Sequence, residues 1–259
     1  MREWLAEIWR CREILYFLAW RDIKVRYKQA ALGVAWAVLQ PLATMVIFAF
    51  IFGSLAGIPS NGIPYKLFSF SALVLWTYFS VTLGTVGNSL VANSSLVTKI
   101  YFPRVLLPAS SALGGLLDLL VSSVLLIAMM FYYHVSPRWT MLLAPVFVLQ
   151  TALLVMGAGM LLAAVNVRYR DVKYTLPFVT QLGLFVTPVI YPMSFFPARY
   201  QPWLALNPMT GIVEGFRSCL FGSPLDWGLL GCSWAVTLAL LVIGGLHFRS
   251  TERVFADIV

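Results

Sequence analysis

The ionisable side chains of this chain are few, and one stands apart from the rest. Only 11% of its 259 residues are Asp, Glu, Lys or Arg. Asp118 lies deep inside an apolar stretch. An acid at bilayer depth is costly enough to signal function by default, as a proton site or as a contact to a polar substrate. The plainer reading is that it faces a helix bundle and hydrogen-bonds Ser122, Ser123 or the backbone of a neighbouring helix. Glu214 and Arg217 are three residues apart and share a helix face, so they can form a local ion pair or a contact at a gate. His134 and His247 fall at the ends of apolar stretches, and Cys11, Cys219 and Cys232 have no metal-binding spacing. HExxH, GxSxG and GxxxxGK[ST] patterns are absent. Hydrolysis inside the membrane is therefore hard to build, and this chain cannot cradle ATP phosphates itself.

The elements that must position these residues follow from the gaps between charges. No charge occurs in Gln29 to Tyr65, Leu67 to Thr98, Trp139 to Val167, Tyr174 to Ala198 or Trp227 to Phe248. Each gap is long enough for a membrane-crossing helix, which needs about 20 apolar residues. A hydrophobic fraction of 60% and a mean hydropathy of +0.85 agree. The fold class is all-α integral membrane, with six transmembrane helices over about 33–55, 67–91, 105–131, 141–165, 175–191 and 227–248. Residues 195–226 carry too many prolines (Pro197, Pro202, Pro208, Pro224) to cross as one helix. The first 28 residues mix charges with Trp4, Trp9 and Trp20, as expected of an amphipathic helix in the headgroup region. They lack the cleavage pattern of a signal peptide.

The charges also set the orientation. The N-terminal segment, Lys99 and Arg104, the 168–173 loop and the C-terminal tail hold 14 of the 18 Lys and Arg residues. Positive residues favour the cytoplasmic side, so both termini are expected there. This bias explains the net charge of +8 without nucleic acid as a partner. Aromatics within the spans, Trp76, Tyr78, Phe79 and Phe185 among them, can stack on sugar faces along a channel. Large apolar side chains also serve against lipid or in a core.

Several motifs in their order resemble the membrane subunits of ABC-2 type polysaccharide exporters, such as O-antigen, teichoic acid and capsule permeases. They are Arg21-Asp-Ile-Lys-Val-Arg-Tyr-Lys28, Leu32-Gly-Val-Ala-Trp-Ala-Val-Leu-Gln-Pro-Leu42, Lys99-Ile-Tyr-Phe-Pro-Arg104, Asn166-Val-Arg-Tyr-Arg-Asp171, Thr187-Pro-Val-Ile-Tyr-Pro192 and Asn207-Pro-Met209. The resemblance covers essentially the whole chain, and the O-antigen and teichoic acid branch is the closer.

It implies a homodimeric, multi-pass permease in the bacterial inner (plasma) membrane. Two copies of a separate P-loop ATPase would hold ATP and Mg, with no cofactor and no metal in this chain. The substrate would be a polyprenyl-diphosphate-linked polysaccharide. Residues 1–30 would form a cytoplasmic interface helix and 31–259 the ABC-2 type transmembrane domain, with short re-entrant helices between spans 5 and 6. ATPase coupling would fall to Trp9, Arg12, Asn93, Ser94, Ser95, Lys99 and Arg104. Substrate would arrive past Arg21, Lys24, Arg26 and Lys28, although these also serve as an orientation signal and anionic-lipid contact. Trp76, Tyr78, Phe79, Phe185 and Asp118 would line the channel. Tyr191, Phe195, Phe196, Arg199, Glu214 and Arg217 would form the exit gate. Alternatives are an ABC-2 exporter of capsule, lipid or drug, and a proton-coupled secondary transporter using Asp118.

Overall fold

The computed structural model describes residues 10–28, 35–99, 102–169 and 171–252. Among these, the secondary structure is entirely helical. Helix α1 (Arg12–Lys28) precedes α2 (Ala35–Leu55), whose last seven residues, Ala49–Leu55, widen into a π-helix. Then come α3 (Tyr65–Gly87), the short α4 (Ser89–Ala92) and α5 (Ser94–Lys99), and α6 (Leu106–Tyr132). A 3₁₀ turn (Trp139–Leu143) leads into α7 (Ala144–Arg168), followed by α8 (Val172–Val186). A second 3₁₀ turn (Met193–Phe195), α9 (Gln201–Ala205), α10 (Pro208–Phe221) and α11 (Trp227–Thr251) complete the chain.

Among the described residues, five helices are long and apolar enough to cross a membrane: α2, α3, α6, α7 with its leading turn, and α11. Six spans were expected, and the difference lies at the fifth. Instead of running over 175–191, α8 stops at Val186 after 15 residues, which is about 22 Å at 1.5 Å per residue. Pro188 is the reason. The residue before a proline is pushed out of the helical region, and Thr187 is extended at φ −80°, ψ 141°.

Helix α3 is the hub. It packs against α2, α6, α7, α8 and α10. In its most apolar window 72% of the residues are buried, against 17–50% for the other four long helices. Two of its buried hydroxyls return to their own helix, Ser69 to the Tyr65 carbonyl and Ser71 to that of Phe68, so neither is an unpaired donor in the core. The pairing of α7 and α11 rests on glycine. A Cβ at Gly157 would meet the Leu241 backbone at 2.5 Å, and one at Gly244 would fall on the Gly157 carbonyl. Such close approach is how small residues let membrane helices pack. Gln150 of α7 donates to the Ser233 hydroxyl of α11, which donates to the Pro208 carbonyl at the start of α10, joining three helices.

The helix ends nearest α1, α4 and α5 converge on a second cluster of Leu18, Leu90, Val97, Phe102, Leu106, Ala163, Val167 and Phe248. This is the basal end of the bundle. Helix α1 runs beside α6 in the same direction, because Asp22 accepts from Ser110 while Arg26 meets Asp118. Its inward face is apolar at Leu15, Leu18 and Ala19 and polar further along, at Asp22 and Arg26. Tyr16, Phe17, Trp20 and Val25 turn outward together with Arg12, Lys24 and Lys28, the mixture expected of a helix at the headgroup level.

Candidate functional site

One face of α3 stays open while the rest of the helix is buried. It carries Thr77, Ser80, Val81, Gly84 and Thr85, a helical i, i+3, i+4, i+7, i+8 series of small and hydroxyl-bearing side chains. Two cavities flank it and share Val81. One, of about 270 Å³, lies toward α1, α2 and α6, and Tyr27, Trp36, Gln40, Thr77, Asp118 and Ser122 contribute to its walls. The other, of about 420 Å³, lies between α3 and α8, against Trp76, Ser80, Pro177, Thr180 and Gln181. Together they make a hydroxyl-floored groove walled by α2 and α8. The residues expected along a channel distribute unevenly around it. Trp76 borders the α8 side, with Phe79 5.4 Å away centroid to centroid. Phe185 is exposed on α8. Tyr78 leans toward α6, where its hydroxyl donates to the Ala112 carbonyl at 3.3 Å.

Asp118 is paired with Arg26 of α1, Nη1 to Oδ2 at 2.5 Å. Ser122 and Ser123, the expected partners, bond instead to the carbonyls of Ala37 and Leu119. Arg21 also faces inward, donating to Asp22 and to the Asn93 side chain at 2.8 Å each. Of the four basic residues expected to receive substrate, Lys24 and Lys28 remain on the exposed face, with the Lys24 ammonium 5.4 Å from the Trp20 ring.

At the other end, residues 187–192 are irregular backbone, and side chains of α10 and α3 satisfy several of its groups. The Arg217 side chain is 4% exposed. It donates to the carbonyls of Pro188 (2.5 Å), Val189 (2.7 Å) and Phe68 (3.1 Å), and its guanidinium carbon lies 3.6 Å from the Phe68 ring centroid. Tyr65 donates to the Ile190 carbonyl at 2.7 Å, and Asn207, the N-cap of α10, donates to Thr187 Oγ1 at 2.9 Å. Glu214 accepts from the Met193 N–H at 3.1 Å and lies 3.5 Å from Arg217. Burial pushes the Glu214 carboxyl above its ordinary range, while Arg217 and the Met193 N–H pull it back. Tyr191, Phe195 and Phe196 form an aromatic cluster with centroids 4.8–6.1 Å apart. Arg199 instead stacks on Tyr200 at 4.5 Å. The chain reverses after α10 at Gly222, where φ is +77° and a Cβ would strike the Arg138 side chain.

The residues expected to couple to an ATPase sit at the basal end. Asn93 separates α4 from α5 and holds Arg21. Val97 anchors α5 in the basal cluster, which leaves Ser95, Thr98 and Lys99 exposed and Ser94 half-buried. The Arg104 backbone N–H donates to the Glu252 carboxylate at 3.0 Å and its guanidinium to the Glu252 carbonyl, joining this turn to the end of α11. Arg12 is exposed at the start of α1, and Trp9 lies outside the described residues. Sequence reasoning missed Tyr27, Gln40, Thr180 and Gln181 around the groove and Ser80 in its floor. The helical spacing of Thr77, Ser80, Gly84 and Thr85 was the signal that could have found the floor.

The ABC-2 type transporter family matches residues 13–221, and the chain belongs to that family. It is 29% identical over 257 residues to the O-antigen export system permease protein RfbA of Myxococcus xanthus, covering 98% of both chains. The RfbA protein of Klebsiella pneumoniae is 24% identical over 248 residues, 95% of each chain. The polysialic acid transport protein KpsM of Escherichia coli is 24% identical over 237 residues, 90% of this chain and 91% of its own.

Proposed function

We propose that this chain is the permease subunit of an ABC exporter that moves a polyprenyl-diphosphate-linked polysaccharide of O-antigen type outward across the bacterial inner membrane. The observation that carries this is the nearly end-to-end similarity to the RfbA permeases, with the hydroxyl-floored groove as the matching physical feature. Export of a capsule-like polymer is the second reading, supported by the similarity to KpsM. A P-loop ATPase, present twice, binds ATP and Mg and supplies the energy of hydrolysis, because this chain has no phosphate-binding loop of its own. Titration of Asp118 is not needed for energy.

Six crossings remain our reading of the topology. Helix α8 passes alongside α3 from Gly87, which Leu176 approaches, to Trp76 beside Gly183, and the Thr187–Ile190 extension reaches Phe68 through Arg217. Residues 68–87 of α3 rise about 29 Å at 1.5 Å per residue, close to the ~30 Å hydrocarbon core. The fifth crossing is thus a helix finished by an irregular turn over residues 187–190. Irregular backbone is tolerated at that depth only when buried in protein and satisfied, as Arg217 and Tyr65 make it. The short α9 and α10 then re-enter the outer leaflet. The basal end is cytoplasmic, with both termini there, since it carries most of the Lys and Arg.

A second copy of the chain closes the groove. Both walls expose apolar side chains, Trp36, Val46 and Phe50 on α2 and Phe178, Leu182 and Phe185 on α8. Substrate diphosphate is met by Lys24 and Lys28, while Arg21 and Arg26 position α1. The α4–α5 corner with Ser95 and Lys99 receives the ATPase, and the Tyr191–Phe195–Phe196 cluster bounds the exit. The test is complementation of a strain deleted for the permease, scored by surface glycan. Glycan should return with the intact ATPase and fail with a hydrolysis-deficient one. Equal glycan with both would overturn the reading. In an intact complex, Ser95→Cys should cross-link to the ATPase, and its absence would refute the coupling contact.

A further inference from the structure

Away from the α3 groove, with α6 standing between, the outer parts of α6 and α7 leave an apolar cleft of about 490 Å³. Its walls include Leu120, Ile127 and Met130 of α6 and Ala144 of α7, with Phe216 and Leu220 of α10 behind them. The polar side chain among these walls, Ser123, donates to the Leu119 carbonyl at 2.8 Å, so it asks nothing of an occupant. We propose that this cleft binds one acyl chain of an outer-leaflet phospholipid whose anionic headgroup rests on Arg138.

Depth, lip and charge select that occupant. From Leu119 to Met130 the α6 wall rises about 17 Å at 1.5 Å per residue, against ~15 Å for half of the ~30 Å hydrocarbon core. The cleft is as deep as one leaflet. A helix 10–12 Å across and of that length would need about 1,300 Å³ or more, so the space suits a chain and not a partner helix. The lip is a Schellman turn at the end of α6. His134 takes the left-handed conformation at φ +55°, its N–H donates to the Phe131 carbonyl, and the Val135 N–H donates to that of Met130. The turn brings Val135 into the same wall as Met130, up to the level where Tyr132 and Trp139 are exposed like an aromatic belt. Arg138 follows the wall residue Pro137, is exposed, and lies against Gly222, where a Cβ would strike its guanidinium. Among the described residues no carboxylate pairs with it. A cation without a counter-ion at the mouth of an apolar cleft complements a phosphate carried above an acyl chain. Because Phe216 precedes Arg217, which clamps the fifth crossing, the bound lipid props α10 from outside the bundle.

The site rests on the orientation proposed above, and its test needs neither ATP nor glycan, so its failure would leave the exporter reading standing. The full-length permease with its ATPase is placed in phosphatidylethanolamine vesicles that contain phosphatidylglycerol with a diazirine on one acyl chain, and photo-labelled residues are mapped by mass spectrometry. As the phosphatidylglycerol fraction rises, labelling within 119–148 should saturate. Labelling around Leu238, Val242 and Ile243, exposed on α11, should instead rise in proportion. Ala144→Phe, which fills the cleft, should remove the saturable component. Arg138→Gln should raise the half-saturating fraction about fivefold, with the α11 signal unchanged in both variants. If Ala144→Phe lowers abundance, saturation in the parent and the surface variant Arg138→Gln carry the test. Labelling of 119–148 that rises in proportion throughout, or that either folded variant leaves intact, would overturn the site. Displacement by polyprenyl diphosphate at a lower fraction than unlabelled phosphatidylglycerol would also overturn it, in favour of the substrate's own tail.

Discussion

Replacing Arg217 by lysine tests whether the fifth crossing is held by side chains rather than by helix. The arginine serves three carbonyls, those of Phe68, Pro188 and Val189. A lysine ammonium is a point donor on a flexible stem and cannot span them as the planar fork does. At least one or two carbonyls would be left buried and unpaired, at about 1–3 kcal/mol each by soluble-protein measurements, nearer ~0.6 kcal/mol by measurements within membranes. Loss of the guanidinium over the Phe68 ring adds about 0.5–2 kcal/mol. A net ~2–4 kcal/mol corresponds to a melting temperature lower by about 5–15 °C for a chain of this size. The assay is thermal unfolding of the detergent-purified protein followed with a thiol-reactive dye. In a Cys11→Ser, Cys232→Ser background it reports Cys219, fully buried two residues beyond Arg217. Glu214→Gln is the control. It removes the 3.5 Å ion pair but keeps an acceptor for the Met193 N–H, so it should cost under about 1 kcal/mol. If Arg217→Lys melted with the parent, or Glu214→Gln cost as much, the carbonyl clamp would be the wrong account.

Three further outcomes are expected with the same dye assay. Arg26→Ala and Asp118→Ala should each destabilise, with the double variant losing less than the sum by about 1–3 kcal/mol; strict additivity would refute the pairing. Gly244→Ala should cost about 1–3 kcal/mol by forcing α11 off the Gly157 carbonyl, whereas Gly231→Ala, with open space around it, should be neutral or stabilising by up to ~1 kcal/mol; equal effects would contradict the crossing. Asn207→Ala should cost about 1–2 kcal/mol, through loss of the cap on the Met209 N–H and of the bond to Thr187, and no change would show that α10 is held some other way.

Much of this architecture was legible in the charge gaps, because a hydrocarbon solvent leaves long uncharged runs that any reader can count. Four of the five long helices lie within a few residues of their expected bounds, and α2 begins where the described residues resume. The fifth crossing was read over 175–191 with breaks expected at Pro188 and Pro192, and its helix ends earlier, at Val186, for a physical reason. Apolarity measures what a segment is buried in, not whether its backbone is helical, and Val189 and Ile190 are buried in the turn that follows α8. Asp118 stood out as the costly charge, and its partner lies 92 positions away on a segment read as a surface helix. Likewise Glu214 and Arg217 were seen as neighbours of one another. Their carbonyl acceptors, brought in from α3 and from the Thr187–Pro192 motif, follow only from tertiary packing. The floor of the groove was readable in principle, since threonine, serine and glycine at helical spacing within an apolar run mark a face that does not meet lipid.

The most direct test of the account is translocation in inside-out vesicles containing this chain, its partner ATPase and a lipid-linked glycan. Lumenal glycan protected from an added glycosidase should rise with ATP, fail with a hydrolysis-deficient ATPase, and fall when the α3 floor is blocked by a bulky thiol reagent on Ser80→Cys. Protection that proceeds equally without ATP, or that ignores the blocked Ser80→Cys floor, would contradict an ATP-driven passage along α3.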